Sequence, residues 1–178
     1  MTLKLSEQEQ FRREALKELG DLGINPYPAE RYEVNTYAEE ILNKFPENNT
    51  LFQDVQLAGR IMGRRIMGSA SFAELQDSTG RIQLYFNRDE ICQGDDKTLY
   101  NTVFKRLLDI GDIIGVRGYV FITKMGEVTV HVKELKLLCK SLRPLPIVKE
   151  KDGQVFDAFK DPEQRYRQRY LDLIVNPG

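Results

Sequence analysis

The chain has 178 residues, 41% hydrophobic and 30% charged, a balance that suits one barrel-sized domain with helical attachments. Net charge is −1, from 6 Lys/Arg against 10 Asp/Glu in residues 1–50 (−4), 13 against 11 in 51–140 (+2) and 7 against 6 in 141–178 (+1). A middle so mildly basic excludes a sequence-blind phosphate clamp, yet leaves room for the reading of a few bases.

No stretch approaches the roughly 18 apolar residues of a membrane span, and the opening residues turn acidic at Glu7 without an apolar signal core. The expectation is a cytoplasmic protein with no membrane partner. Cys92 and Cys139 lie far apart with no CxxC, so two reduced thiols are expected and no metal site.

In chain order, Ser6-Glu7-Gln8-Glu9 reads as a capping box opening a helix on which Phe11, Ala15 and Leu19 share a face, with Gly20 as the stop. Asn25-Pro26-Tyr27-Pro28 is an extended breaker. Thr36 and Glu39 suggest a second capping box, ahead of a helix whose Tyr37, Ile41 and Phe45 align. After Asn49 the apolar period drops to two. Strand one is expected over about 55–62, followed by a bend carrying Arg64 and Arg65 between Gly63 and Gly68. Strand two covers about 69–76, Asp77-Ser78-Thr79-Gly80 is a type I turn, and strand three covers 81–87.

A helix with Leu99, Val103 and Leu107 in one stripe, widened by Phe104 and Leu108, ends at Gly111. Strands four (112–123) and five (127 to about 133 or beyond) flank a turn at Lys124-Met125-Gly126. Lys149 to Gly153 reads as a loop, and Asp161 caps a last helix with Pro162 at its first position. Three strands, one helix, then two strands is the order of an OB-type β-barrel: mainly β, five-stranded, with N-terminal helices and a C-terminal linker helix. A plain antiparallel sandwich is the alternative, disfavoured by the single helix between strands three and four. The domains are expected at 1–50 (helical extension), 51–146 (barrel) and 147–178 (linker and helix).

Counting back from the first turn pairs Gln76 with Arg81, Leu75 with Ile82, Glu74 with Gln83, Ala73 with Leu84 and Phe72 with Tyr85. Leu75, Ala73, Ile82 and Leu84 then face inward, and Phe72, Glu74, Gln83 and Tyr85 outward. A one-residue slip would bury Glu74. The second turn pairs Thr123 with Glu127, Ile122 with Val128, Phe121 with Thr129, Val120 with Val130 and Tyr119 with His131. Valines and isoleucines turn inward; Arg117, Tyr119, Phe121, Glu127, Thr129 and His131 turn outward.

Such a face suits unstacked bases. Aromatic rings stack on them, Gln and Glu pair with a Watson–Crick edge that only a single strand leaves free, and Arg holds phosphate or stacks. Bland readings stand beside these. The N-terminal helices could cover Tyr119 and Phe121, His131 could be structural, and Glu127 could be merely solvated.

The runs Ala58-Gly59-Arg60-Ile61-Met62, Arg64-Arg65-Ile66-Met67-Gly68, Ala70-Ser71-Phe72 and Gly80-Arg81-Ile82-Gln83-Leu84-Tyr85 resemble the anticodon-binding barrel of class II lysyl-tRNA synthetases. So do Gly111-Asp112 through Arg117-Gly118, Leu142-Arg143-Pro144-Leu145-Pro146 and Arg165-Tyr166 through Leu173-Ile174. The resemblance covers roughly Tyr27 onward.

It implies that Arg65, Phe72, Gln83 and Glu127 recognise the central uridine of the lysine anticodon. Arg64, Tyr85, Arg117, Tyr119 and His131 are additional RNA-contact candidates. It implies a lysine tRNA as partner, with no DNA, and a homodimeric, cytoplasmic parent enzyme that attaches lysine to tRNA with ATP and Mg2+. No P-loop or Gly-rich phosphate cradle is present, so no catalytic residue and no cofactor site are expected within this chain, which reads as the N-terminal part of a longer enzyme. The stretch 147–159 is longer than in many relatives. The alternative reading is a free-standing, non-catalytic OB-fold RNA-binding protein, and a third is a protein-interaction barrel.

Overall fold

The computed structural model describes residues 5–146, 149–151, 154–156, 159 and 161–176. The opening Met1 to Lys4, residues 147–148, 152–153, 157–158 and 160, and the closing Pro177-Gly178 lie outside them. The chain forms two units, residues 1–142 and 143–178.

In the first unit, helix α1 (Glu7–Asp21) begins with the expected box: the Ser6 hydroxyl accepts from Glu9 N–H, and the Glu9 carboxylate accepts from Ser6 N–H. Its end differs from the expectation. Gly20 lies inside the helix and Gly23, at φ +74°, terminates it; Ile24 N–H bonds Leu19 O while Gly23 N–H bonds Gly20 O. This paired closure needs a left-handed residue, which glycine supplies without a Cβ clash. The buried stripe is Arg12, Ala15 and Leu19, and Phe11 is exposed. Arg12 is drawn in because its guanidinium satisfies two carbonyls, Ser141 O at 3.1 Å and Ile110 O at 2.9 Å.

Helix α2 (Ala38–Lys44) buries Ala38 and Ile41, with Phe45 at its end, and leaves Tyr37 exposed. Thr36 does not cap it. The cap comes from the β2–β3 turn, where Asp77 Oδ2 accepts from Ala38 N–H at 2.7 Å and Thr79 Oγ1 from Glu39 N–H at 3.1 Å. The other Asp77 oxygen accepts from Thr79 and Gly80 N–H in the turn itself. One aspartate thus shapes a hairpin and ties a helix to it.

Strands β1 (Val55–Met67), β2 (Ala70–Gln76), β3 (Arg81–Asn87), β4 (Ile113–Ile122) and β5 (Val128–Cys139) close into a barrel in the order β1-β2-β3-β5-β4. The β3–β5 pair is parallel and the rest are antiparallel. Both hairpin registers match the expected pairs residue for residue. Leu57, Ile61, Leu75, Leu84, Ile114, Val116, Val130 and Val132 fill the interior. Ile122, expected inside, is exposed because it sits at the last rung beside the turn.

Strand β1 is longer than expected. It does not bend at Gly63 but continues to Met67, with a bulge between Ile61 and Gly63. A bulge adds a residue without ending the ladder.

After the short helix α3 (Arg88–Ile91), residues Leu99–Leu107 form a helix wound wider than an α-helix. Leu108 N–H bonds Val103 O five residues back. The π winding turns Tyr100, Val103, Phe104 and Leu107 inward and leaves Leu99 half-buried. Phe104 packs on Phe86 with ring centres 4.2 Å apart, and the Tyr100 hydroxyl meets Ser71 Oγ at 2.7 Å.

In the second unit, residues 149–151 pair with 154–156 as a small hairpin (β6, β7), where a loop was expected. The last helix is capped by Asp161 as expected but breaks at Gln168 into 162–167 and 169–175. Asp172, nearly buried, gathers Asn176 Nδ2 at 3.0 Å, Arg165 Nε at 2.7 Å and Arg169 Nη1 at 3.4 Å, and these partners hold its carboxyl below the usual range.

Candidate nucleic-acid interface

A groove of about 630 Å³ opens on the barrel's outer face, and Arg65, Phe72, Gln83 and Glu127 all line it. Three strands and one turn place these four residues. Phe72 (β2) lies directly across from Arg65 (β1) on one side and Tyr85 (β3) on the other. Gln83 lies two residues along β3 from Tyr85, on the same face. Glu127 is set by the β4–β5 turn, where Gly126 at φ +88° reverses the chain and the Thr123 hydroxyl accepts from Glu127 N–H at 3.1 Å.

The Phe72 ring is half-buried, held 5.2 Å from Tyr85 and tilted by 52°. It is therefore fixed at its edge and open on the groove side. Gln83 Nε2 donates to Glu127 Oε2 at 2.6 Å, and Gln83 Oε1 accepts from Thr129 Oγ1 at 2.9 Å. Arg65 is exposed and touches Met67 Sδ at 3.4 Å. A stacking ring, an amide, a carboxylate and a guanidinium thus converge on one opening.

The bulge in β1 decides which arginine joins them. Before it the paired residue numbers sum to 136 (Ile61 with Leu75); after it they sum to 137 (Arg65 with Phe72). Arg64 instead pairs with Ala73 on the opposite face. Its Nη1 donates to Phe104 O and, at 2.6 Å, to Leu108 O at the end of the π-helix, and burial lowers the basicity of its guanidinium. The structure thus commits the Arg64 charge to helix carbonyls, although other atoms of the residue border the groove.

The remaining candidates separate further. Tyr85, Tyr119, Phe121 and His131 extend the aromatic surface from Phe72, with Tyr85 and His131 centres 4.9 Å apart and Tyr119 and His131 also 4.9 Å apart. The Tyr119 hydroxyl meets His131 Nδ1 at 2.7 Å. His131 and Thr129 point outward as expected yet are buried: Tyr85, Tyr119 and Phe121 surround the His131 ring, and Thr129 lies between Gln83 on β3 and Phe121 on β4. Burial keeps the His131 imidazole below its usual pKa. Arg117 is bidentate to Asp54, at 2.8 Å twice, away from the groove residues. That pairing raises its pKa.

Arg81 and Leu42 also line the groove and were not singled out from sequence. Arg81 follows from alternation with Gln83, and it holds Glu74 at 3.2 Å. Leu42 comes from α2, and nothing local in the sequence placed it there. Among the described residues, no cluster of three or more His, Cys, Asp or Glu is arranged to hold a metal, and no helix is long and apolar enough to cross a membrane. Cys92 and Cys139 are free thiols.

Residues 55–138 match the tRNA anti-codon family, an OB-fold nucleic acid binding domain. The chain carries an anticodon-binding OB-fold domain. Along nearly its whole length it is homologous to proteins named lysine–tRNA ligase: 62% identical over 98% of this chain to one from Porphyromonas gingivalis, 59% over 98% to one from Azobacteroides pseudotrichonymphae, and 58% over 98% to one from Christiangramia forsetii. The chain spans 30%, 35% and 30% of those relatives, respectively. The anticodon-binding domain therefore accounts for the barrel, and the homology favours a lysine–tRNA ligase relative over a free-standing RNA-binding barrel.

Proposed function

We propose that this chain reads the central uridine of the lysine anticodon through Arg65, Phe72, Gln83 and Glu127. The observation that carries the reading is their convergence in one groove. Phe72 supplies the stacking platform. Gln83 Nε2 and the Arg65 guanidinium donate hydrogen bonds, and the Glu127 carboxylate accepts. Donor, acceptor and donor complement the O4, N3–H and O2 edge of uracil. Cytosine offers a donor and two acceptors on that edge, so at least one group would face a like partner and stay unsatisfied, which is costly away from water. Tyr85 and Tyr119 provide neighbouring ring surface for adjacent bases, and the buried His131 backs them.

The division of labour follows the expected domains: 1–50 as a helical extension, 51–146 as the reading domain and 147–178 leading toward a catalytic part. The parent protein is then a homodimeric, cytoplasmic lysine–tRNA ligase. Its ATP and Mg2+ chemistry would belong to the catalytic part toward which residues 147–178 lead. Titrating the chain with anticodon stem-loops that differ only at the central base, at one fixed salt concentration, tests the reading. Tightest binding to the uridine loop is expected; equal affinity for all four loops overturns it.

A further inference from the structure

We propose that Thr129, which lies beneath the groove rather than in its lining, is a positioning residue that sets the sense of the Gln83 amide and so helps the groove prefer uracil to cytosine. The inference rests on the uridine reading above. A glutamine amide presents a donor or an acceptor according to which way it is turned, and here the neighbours decide. An ionised carboxylate only accepts, so the Gln83 atom 2.6 Å from Glu127 Oε2 is the nitrogen. Oε1 then faces Thr129, whose fully buried hydroxyl donates to it at 2.9 Å. The parallel β3–β5 register places Gln83 and Thr129 side by side, and Phe121 lies opposite Thr129 on β4.

The single hydroxyl proton has one competing acceptor, Glu127 O, at the longer distance of 3.2 Å. With the amide held this way, the second Nε2 hydrogen is left for a base. Turned over, the amide would present an acceptor beside the Glu127 carboxylate, and the donor–acceptor–donor pattern that matches uracil would be lost. The hydroxyl touches no base, yet together with the Glu127 carboxylate it holds the sense in which Gln83 meets one.

Thr129→Val keeps the shape and removes the hydroxyl; Thr129→Ser keeps the hydroxyl. Wild type and T129S are expected to share one uridine-to-cytidine affinity ratio, and T129V to narrow that ratio about three- to tenfold, the worth of one hydrogen bond. In 15N-labelled protein, the Gln83 side-chain amide hydrogens should exchange slowly in wild type and T129S and quickly in T129V. Thermal melting checks that each variant is folded, and Thr129→Ala, which adds no atoms, substitutes for valine if T129V does not fold. A folded variant without the hydroxyl that keeps the full ratio overturns the positioning role. A wild type with no preference between the two loops instead overturns the uridine reading itself, so the two failures are distinguishable.

Discussion

Gln83–Glu127–Thr129 and Lys140–Asp112–Asp109 are polar networks on the same barrel, and they differ in what their members have left to give. Lys140 and Asp112 have no exposed side-chain surface. Lys140 Nζ lies 2.9 Å from Asp112 Oδ2, Asp112 also accepts from Ser141 N–H at 2.7 Å and Asp109 N–H at 2.8 Å, and Lys140 reaches Asp109 Oδ2 as well. Burial pushes the Asp112 carboxyl up, while Lys140 and the two N–H groups pull it down. These partners leave neither charge without a counterpart, so the network joins the end of the π-helix, the start of β4 and the exit of β5. The groove network is half-exposed and keeps spare donors and lone pairs. The first holds a fold together, and the second can exchange partners with a base. Similar side chains divide between these tasks according to burial and remaining hydrogen-bond capacity.

The contrast is broken most severely at Lys140. Lys140→Met leaves the Asp112 carboxylate buried without its cation and is expected to cost about 3–5 kcal/mol in urea unfolding, with no change in base preference while the protein stays folded. In the groove, Phe72→Ala should weaken binding of the uridine stem-loop by about 1–3 kcal/mol in a titration. A large loss of stability with no change in affinity would instead make Phe72 a core residue.

The adjacent arginines sharpen the comparison. Arg64→Met strands carbonyls of the π-helix and should lower stability by about 1–3 kcal/mol, with little change in the salt dependence of RNA binding. Arg65→Met should leave the urea midpoint nearly unchanged. If Arg65 meets a phosphate, the slope of log affinity against log salt should shrink by about 0.7; if it serves only the base edge, affinity falls without that change.

The smallest effect is at His131. Its buried imidazole is ringed by Tyr119, Tyr85 and Phe121 and faced by Glu90, whose Oε1 lies 3.2 Å from Nε2 and whose carboxylate also pairs with Lys133. Burial lowers its folded pKa, so the unfolded chain takes up a proton that the folded chain resists. This contribution to stability is full above the unfolded value near 6.5 and is lost as pH falls through the folded one. Urea midpoints at about pH 7.5 and about pH 5.5 should therefore fall further for wild type than for His131→Gln.

Much of the site was legible in the chain. Two short turns with strict alternation on either side left one register that kept Glu74 out of the core, and that register put Phe72, Gln83 and Glu127 on one face. The motif resemblance added Arg65. Period-two patterning says which face a residue occupies as long as no residue is inserted. The added residue near Met62 is where that logic ran out: without the bulge, Arg64 would oppose Phe72; with it, Arg65 does and Arg64 caps a helix. Helix ends and covers were beyond local reading for the same kind of reason. Asp77 caps a helix some forty residues earlier in the chain, Arg12 is drawn inward by carbonyls from distant loops, and Thr129 is outward in pattern yet buried between Gln83 on β3 and Phe121 on β4. Alternation and turn chemistry are properties of neighbours in sequence, so the sequence alone determined the five barrel strands, the registers of the two hairpins and most of the groove. Which polar groups are free to meet a ligand depends on partners far along the chain, and only the closed barrel brought those together.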